Sequence, residues 1–311
     1  MNPKIAIVGA GLIGRAWAIV FARAGHPVAM TDIDADALAR AHELIGARLA
    51  DLREFGLIDE APAQVLARIT CERTLAAAVA DAALVQENVR ETLDAKRAIF
   101  AALDPLAPPR CVLASSTSWI PASQYTEALA GRGRAMVAHP TNPPYLIPLV
   151  ELCPAPWTDP DALARARALY AGARQEPVTL SREIHGFLLN RVQGAVLNEC
   201  FSLYTQGLAS AEDIDKVLKE GLALRWSFMG PFETIDLNAP RGVADYAARY
   251  GASNTALARA HVPFEWDDET IRRIEAERRA ALPADRLEAR AAWRDRRLMA
   301  LLAHKRDAAR L

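Results

Sequence analysis

The chain has 311 residues, 51% of them hydrophobic, and its 37 lysines and arginines are matched by 38 aspartates and glutamates. A net charge of −1 excludes the basic footprint of a nucleic-acid binder, and no apolar run reaches the ~20 residues of a membrane span. The length suffices for two cores, so small-molecule chemistry on a soluble two-domain chain remains.

From Met1 the chain enters a strand by Lys4 with no n-region, apolar core or small-residue cleavage site, and the expected location is cytoplasmic. Residues 4–8, KIAIV, form that strand; GAGLIG at Gly9 to Gly14 follows, and then a helix over 15–24. A second strand over 27–31 ends at Asp32, ahead of a long helix over 34–55, which completes a βαβ unit. Glycines at this spacing also collect in ordinary turns, but here they join a strand to a helix and an acid closes the second strand. Gly9 permits the turn, Gly11 the approach of a pyrophosphate and Gly14 the helix–strand contact, while Leu12 and Ile13 complete a segment whose helix N-terminus favours an anion. Asp32 stands where a ribose 2′-hydroxyl is bonded and a 2′-phosphate repelled, so the expected cofactor is NAD.

Further strands over 83–86, 111–115, 135–138, 149–153 and 177–180 alternate with helices such as 92–103 and 159–173. This predicts an α/β fold, a doubly wound Rossmann-type sheet over residues 1–183. After Ile184 the pattern is helical, and an all-helical domain is expected over 184–311. Its first helix, over 186–206, carries Phe187, Leu188, Val192, Val196, Leu197 and Leu203, and is expected to be buried within that domain or against a second subunit. The stretch from Glu269 to Arg310 reads as a solvated helical face anchored by Trp293, Leu298 and Leu301. Cys71, Cys111, Cys153 and Cys200 lack ligand spacing, so they are expected to be reduced core thiols with no metal.

The chemistry concentrates in VAHPTNPPYLIPLVEL, Val137 to Leu152. His139 offers an imidazole, a side chain suited to taking or giving a proton, and Glu151 lies among apolar neighbours where an unpaired carboxylate is costly. Pro140, Pro143, Pro144 and Pro148 stiffen the intervening segment, so the economical partner of the carboxylate is the imidazole. SSTS, Ser115 to Ser118, is either a polar turn or a ligand site at a strand's C-terminal end, with Ser118 offering its hydroxyl. Asn190 in GFLLNR is a polar residue in an apolar stretch, and reads as a structural amide or a ligand group. His26, His42, His185, His261 and His304 have no comparable carboxylate in sequence and read as structural or exposed.

Through GAGLIGRAWA, the TSW turn, AHPTNPPYLIPLVEL, IHGFLLNR, LRWSFMGPFET and AWRD, the chain resembles the 3-hydroxyacyl-CoA dehydrogenase superfamily over nearly its whole length. It is most similar to the branch of lambda-crystallin and L-gulonate 3-dehydrogenase. The resemblance implies that the active-site serine, histidine, glutamate and asparagine are Ser118, His139, Glu151 and Asn190. It also implies a cofactor-side pair near the nicotinamide ribose at Glu91 and Lys96, which pattern alone reads as helix-surface charges, and a homodimer formed through the helical domain. Expected catalysis is NAD-dependent oxidation of the 3-hydroxyl of a free 3-hydroxy acid such as L-gulonate, with the His–Glu dyad as base. Arg225, where the acyl-CoA branch has a small residue, is expected to pair with the free carboxylate, a surface or interface salt bridge being the alternative. Trp119 and Trp226 are bulky enough to line a pocket. Two other readings stand: dehydrogenation of short-chain CoA thioesters, and a crystallin-like NAD-binding protein without turnover.

Overall fold

The computed structural model describes residues 2–262 and 264–308. It separates into two compact units, residues 1–191 with 289–311, and residues 192–288. The first unit begins with β1 (Lys4–Val8), α1 (Leu12–Arg23), β2 (Val28–Thr31), α2 (Ala35–Glu54), α3 (Pro62–Leu66), β3 (Ile69–Cys71) and α4 (Leu75–Val79). It continues through β4 (Ala82–Glu87), α5 (Leu93–Leu106), β5 (Val112–Ser115), α6 (Ser123–Thr126), β6 (Ala135–Pro140), β7 (Leu149–Pro154), α7 (Pro160–Gly172) and β8 (Glu176–Thr179). The eight strands form one sheet in the order β3-β2-β1-β4-β5-β6-β7-β8. Neighbours run parallel except β6 and β7, which pair antiparallel.

Strands buried on both faces need continuous apolar runs, and β5 and β6 are buried along their whole length. Strand order reverses between β1 and β4, which opens a crevice at their C-terminal ends, and the glycine turn lies there. Gly9 has φ +100°, and a Cβ on Gly14 would sit 1.8 Å from the Gly9 carbonyl oxygen, so close contact between turn and helix requires glycine at both. The long second helix starts where Asp34 accepts from the backbone N–H groups of Asp36 and Ala37.

The elements that pattern reading omits are short. β3 is three residues with only Ile69 buried, too brief for alternation to register. The segment 186–188 is not helical: Gly186 and Phe187 have φ +76° and +48°, and the helix α8 (Leu189–Thr205) begins after them. That helix is not buried among the described residues either, since only Ser202 and Tyr204 are, and Val192 is 67% exposed.

The second unit holds most of α8, then α9 (Ala211–Lys216), a π-turn segment (Val217–Leu222), α10 (Ala223–Trp226), α11 (Pro231–Leu237), α12 (Gly242–Ala260) and α13 (Asp268–Ala281). No strand follows β8 among the described residues. The chain then returns to the first unit through α14 (Leu287–Ala308). Met299, not Trp293, is the anchor: it is fully buried in the core with Leu298 and Leu302 packed beside it, whereas Trp293 and Leu301 are exposed. Arg296 pairs with Glu54 and Arg306 donates to the Gly56 carbonyl, so this stretch is docked rather than simply solvated. Arg310, expected at its end, lies outside the described residues. Compared with the expected division at 183/184, the compact units part at 191/192, and residues from 289 onward group with the sheet. All four cysteines are free thiols; Cys111 and Cys153 are buried, but Cys71 is exposed because it ends the edge strand β3.

Gly14→Ala is expected to destabilise the first unit by about 2 kcal/mol, lowering Tm by roughly 5 °C, because backbone has to move. Gly11→Ala, whose Cβ meets nothing within 4 Å, should shift Tm by no more than ~2 °C. Differential scanning fluorimetry that gives equal losses for the two contradicts this account of the turn.

Candidate active site

A cavity of about 850 Å³ opens at the crevice, lined among others by Gly9, Gly11, Asp32, Ile33, Asn88 and Thr92. The N-terminus of α1 points into the glycine turn with no side-chain cap and no acidic residue in its first turn, leaving backbone N–H groups for an anion. Leu12 is exposed there, while Ile13 packs against the core. The Asp32 carboxylate is fixed by accepting from Ala10 N at 2.5 Å and Asp34 N at 2.8 Å. Next to it Ile33 is fully exposed at the cavity, an apolar face suited to a planar ring. Donors for a pyrophosphate, an acceptor for a ribose and an apolar rim together fit a dinucleotide.

Along the same edge of the sheet, the antiparallel register of β6 and β7 sets His139 opposite Glu151. Directly opposed residues share a face, and the side chains meet, His139 Nδ1 lying 2.7 Å from Glu151 Oε2. Both are buried, at 5% and 1% exposure. A carboxylate only accepts, so the proton of this bond is on Nδ1 and the lone pair on Nε2, which has no protein partner among the described residues. The other oxygen, Oε1, accepts from the backbone N–H groups of Leu188 and Leu189 at 2.7 and 2.8 Å, where α8 begins. Phe187, held in the left-handed region just before this helix, packs its ring 5.6 Å from the imidazole.

The second residue of α8 is Asn190, whose Nδ2 donates to the Ser118 carbonyl at 2.7 Å. Ser118, Asn190, Glu151 and His139 are thus joined through the first turn of one helix, which meets the cost of the polar Asn190 in its apolar stretch. Ser118 is half-buried on the turn after β5. That turn is shaped by Glu91, whose Oε1 accepts from the Ser118 and Trp119 N–H groups at 2.9 and 3.2 Å and from the Thr117 hydroxyl. Burial raises the Glu91 carboxyl, but the Thr117 hydroxyl, the Lys96 charge and the two N–H groups outweigh it and leave the group below its usual value.

Lys96 is not a surface charge. It is 1% exposed, and its ammonium lies 3.4 Å from Glu91 Oε2 but 2.9 Å from both oxygens of Glu87. Glu87, fully buried at the end of β4, is a residue that sequence reasoning missed. Burial pushes its carboxyl up, against the opposing Lys96 charge and the hydrogen bonds from Ser115, Lys96 and Val89. The available signal was two adjacent polar residues, Gln86 and Glu87, ending an apolar strand. Gln86 is buried on the other face of β4, accepting from the Tyr170 hydroxyl and donating to Ser116 Oγ at 2.7 Å. The same Ser116 oxygen accepts from Trp17 Nε1 and donates to Asn88 Oδ1.

Arg225 lies on α10 of the second unit, exposed and without an ion-pair partner among the described residues; the alternative of a salt bridge within this chain is not seen. Trp119 is 50% exposed and packs against His185, the two rings tilted with centroids 5.4 Å apart. His261 does have a carboxylate partner, Glu199 at 2.7 Å, brought to it by folding of the second unit.

Residues 4–184 match the family model for the 3-hydroxyacyl-CoA dehydrogenase NAD-binding domain, and residues 186–268 match that for its C-terminal domain. The chain is 39% identical over 309 residues to lambda-crystallin of Oryctolagus cuniculus, covering 97% of this chain and 96% of that one. It is 40% identical over 254 residues to L-carnitine dehydrogenase of Streptomyces griseus, covering 81% and 75% respectively. The crystal structure of 5-formyl-3-hydroxy-2-methylpyridine 4-carboxylic acid 5-dehydrogenase, an NAD+-dependent dismutase, shares the fold with a TM-score of 0.84 at 24% identity over 97% of each chain. The chain therefore belongs to the 3-hydroxyacyl-CoA dehydrogenase family, as an NAD-dependent oxidoreductase that acts on CH–OH donors.

Proposed function

We propose that the protein oxidises the 3-hydroxyl of a free 3-hydroxy acid, of which L-gulonate is an example, with His139 as base. The observation that carries this reading is the Glu151 carboxylate, which accepts His139 Nδ1–H and so leaves Nε2 as a lone pair on the edge of the sheet that bears the dinucleotide cavity. NAD, when bound, supplies the hydride acceptor at C4 of its nicotinamide. His139 Nε2 takes the hydroxyl proton as the C3–H bond breaks, and Glu151 stabilises the imidazolium that forms. The Ser118 hydroxyl and the Asn190 amide hydrogen-bond the substrate oxygen, holding it while its charge changes. Asp32 and the uncapped N-terminus of α1 hold the cofactor's ribose and pyrophosphate. Glu91 and Lys96, paired at 3.4 Å, stand on the cofactor side.

A free acid is favoured over a thioester by Arg225, an exposed guanidinium with no ion-pair partner among the described residues, which suits a bidentate carboxylate. A relative of 40% identity named for carnitine, itself a free 3-hydroxy acid, supports the same substrate class. The second unit also exposes large apolar side chains, Phe228 at 72% and Phe232 at 80%, with Val192 and Leu224 above 60%. Such a surface is uncommon on a monomer, and its proposed cover is a second copy of the chain.

His139→Gln should keep the fold and NADH binding while kcat falls on the order of 10²–10⁴-fold. Glu151→Gln should do likewise by a different route. With its carbonyl kept on the Leu188 and Leu189 N–H groups, the amide NH₂ faces Nδ1 and forces the proton onto Nε2. Near wild-type kcat in either folded variant contradicts the dyad. For the substrate, kcat/KM is compared for L-gulonate, L-carnitine, 3-hydroxybutyrate and 3-hydroxybutyryl-CoA. The free acids should lead, and Arg225→Met should cost them roughly tenfold or more while sparing the thioester. A thioester preference refutes the free-acid reading, and silence across the panel favours NAD binding without turnover. Light scattering of the eluted protein should give a dimer mass at micromolar concentration; a monomer mass there removes the second copy.

A further inference from the structure

Glu87 accepts four hydrogen bonds from three donors at once. Both its oxygens lie 2.9 Å from Lys96 Nζ, Oε2 accepts from the Ser115 hydroxyl at 2.6 Å, and Oε1 accepts from Val89 N at 2.6 Å. Val89 leads the backbone to Glu91, and Ser115 opens the turn that carries Ser118; Ser115 Oγ in turn accepts from Thr117 N at 3.2 Å. One carboxylate therefore ties both the strand-to-Glu91 segment and the start of the serine turn. The ammonium has three N–H groups, which serve Glu87 and, at 3.4 Å, the Val89 carbonyl and the Glu91 side chain. Glu91 divides its oxygens accordingly, Oε2 toward Lys96 and Oε1 toward the Thr117, Ser118 and Trp119 donors.

We infer that Glu87 is a positioning residue for the reaction: by holding the Lys96 ammonium it leaves Glu91 free to shape the turn that presents Ser118. The inference rests on the reading that Ser118 bonds the substrate oxygen. If the Glu87 charge is removed, a buried ammonium is left with Glu91 as its only carboxylate within reach among the described residues. The attraction then draws Glu91 off the turn, because a buried cation seeks a counter-charge more strongly than two amides seek an acceptor. Ser118 loses the acceptor that fixes its backbone, and small displacements of a positioning group are amplified in rate.

The test is amide hydrogen exchange at Ser118 and Trp119 in Glu87→Gln, read beside kcat and the Kd for NADH. Expected are exchange about tenfold faster at these two amides, with the β1 amides of Ile5 to Val8 unchanged. Alongside it, kcat should fall about tenfold or more while the Kd for NADH moves by less than roughly threefold. The double variant Glu87→Gln/Lys96→Met contains no unpaired buried cation and is the one expected to fold most readily. With no ammonium to draw it away, Glu91 keeps the turn, so protection at Ser118 and Trp119 should return toward wild type. Wild-type exchange in folded Glu87→Gln, or a double variant that exchanges as fast as the single one, overturns the inference. Should wild type be inactive on every 3-hydroxy acid while the exchange pattern holds, the proposed reaction fails and the positioning role stands.

Discussion

The site depends on how one carboxylate spends its two oxygens. Glu151 gives Oε2 to the His139 ring and Oε1 to two backbone N–H groups at the head of α8. A buried carboxylate with no partner would be prohibitively costly, and one paired only with a neutral imidazole would be poorly compensated. The helix N-terminus supplies the missing compensation through aligned peptide dipoles and two unclaimed donors. The same bonds that make the acid tolerable also set the base's tautomer and the position of Asn190, so burial, orientation and chemistry have a common origin.

A parallel economy operates under the serine turn. β4 ends in two polar side chains that point to opposite faces, and the turn after β5 is held from both: Ser116 by Gln86, Asn88 and Trp17 on one side, Ser115 by Glu87 on the other. Breaking a buried pair such as Glu87–Lys96 typically costs about 3–5 kcal/mol, much of a domain's net stability. An apolar substitute would pack as well but would leave the Ser115 hydroxyl and the Val89 N–H without the acceptor that Glu87 gives them.

The parts legible in the sequence are those where local pattern and tertiary demand coincide. KIAIV followed by GAGLIG reads as strand, turn and helix because only glycine fits where Gly14 touches the Gly9 carbonyl. His139 and Glu151 were readable as partners because proline-stiffened chain separates them and burial leaves the acid few choices. Glu87 was not readable in this way, since its partner Lys96 sits on a helix whose charge pattern looks solvated, and burial on that face is decided by packing. Nor was the start of α8: Gly186 and Phe187 belong to an apolar run that suits a helix, yet both take left-handed backbone to bring Leu188 and Leu189 onto Glu151. The anchor of α14 was misread because an aromatic ring draws attention by size, whereas the flexible Met299 fills the core and Trp293 is instead covered by Arg290 at 3.5 Å.

That last helix has a consequence for how the protein is made. The first unit is discontinuous, closed by a segment that joins Arg296 to Glu54 across 242 residues of chain. On a ribosome the sheet is synthesised first and the helical unit next, and Met299 emerges only after both. The nascent sheet therefore carries an uncovered apolar notch through most of translation. The cofactor crevice is lined wholly by early residues, Val8 to Ile99, so every side chain it needs is synthesised before the segment that closes the core of the same unit.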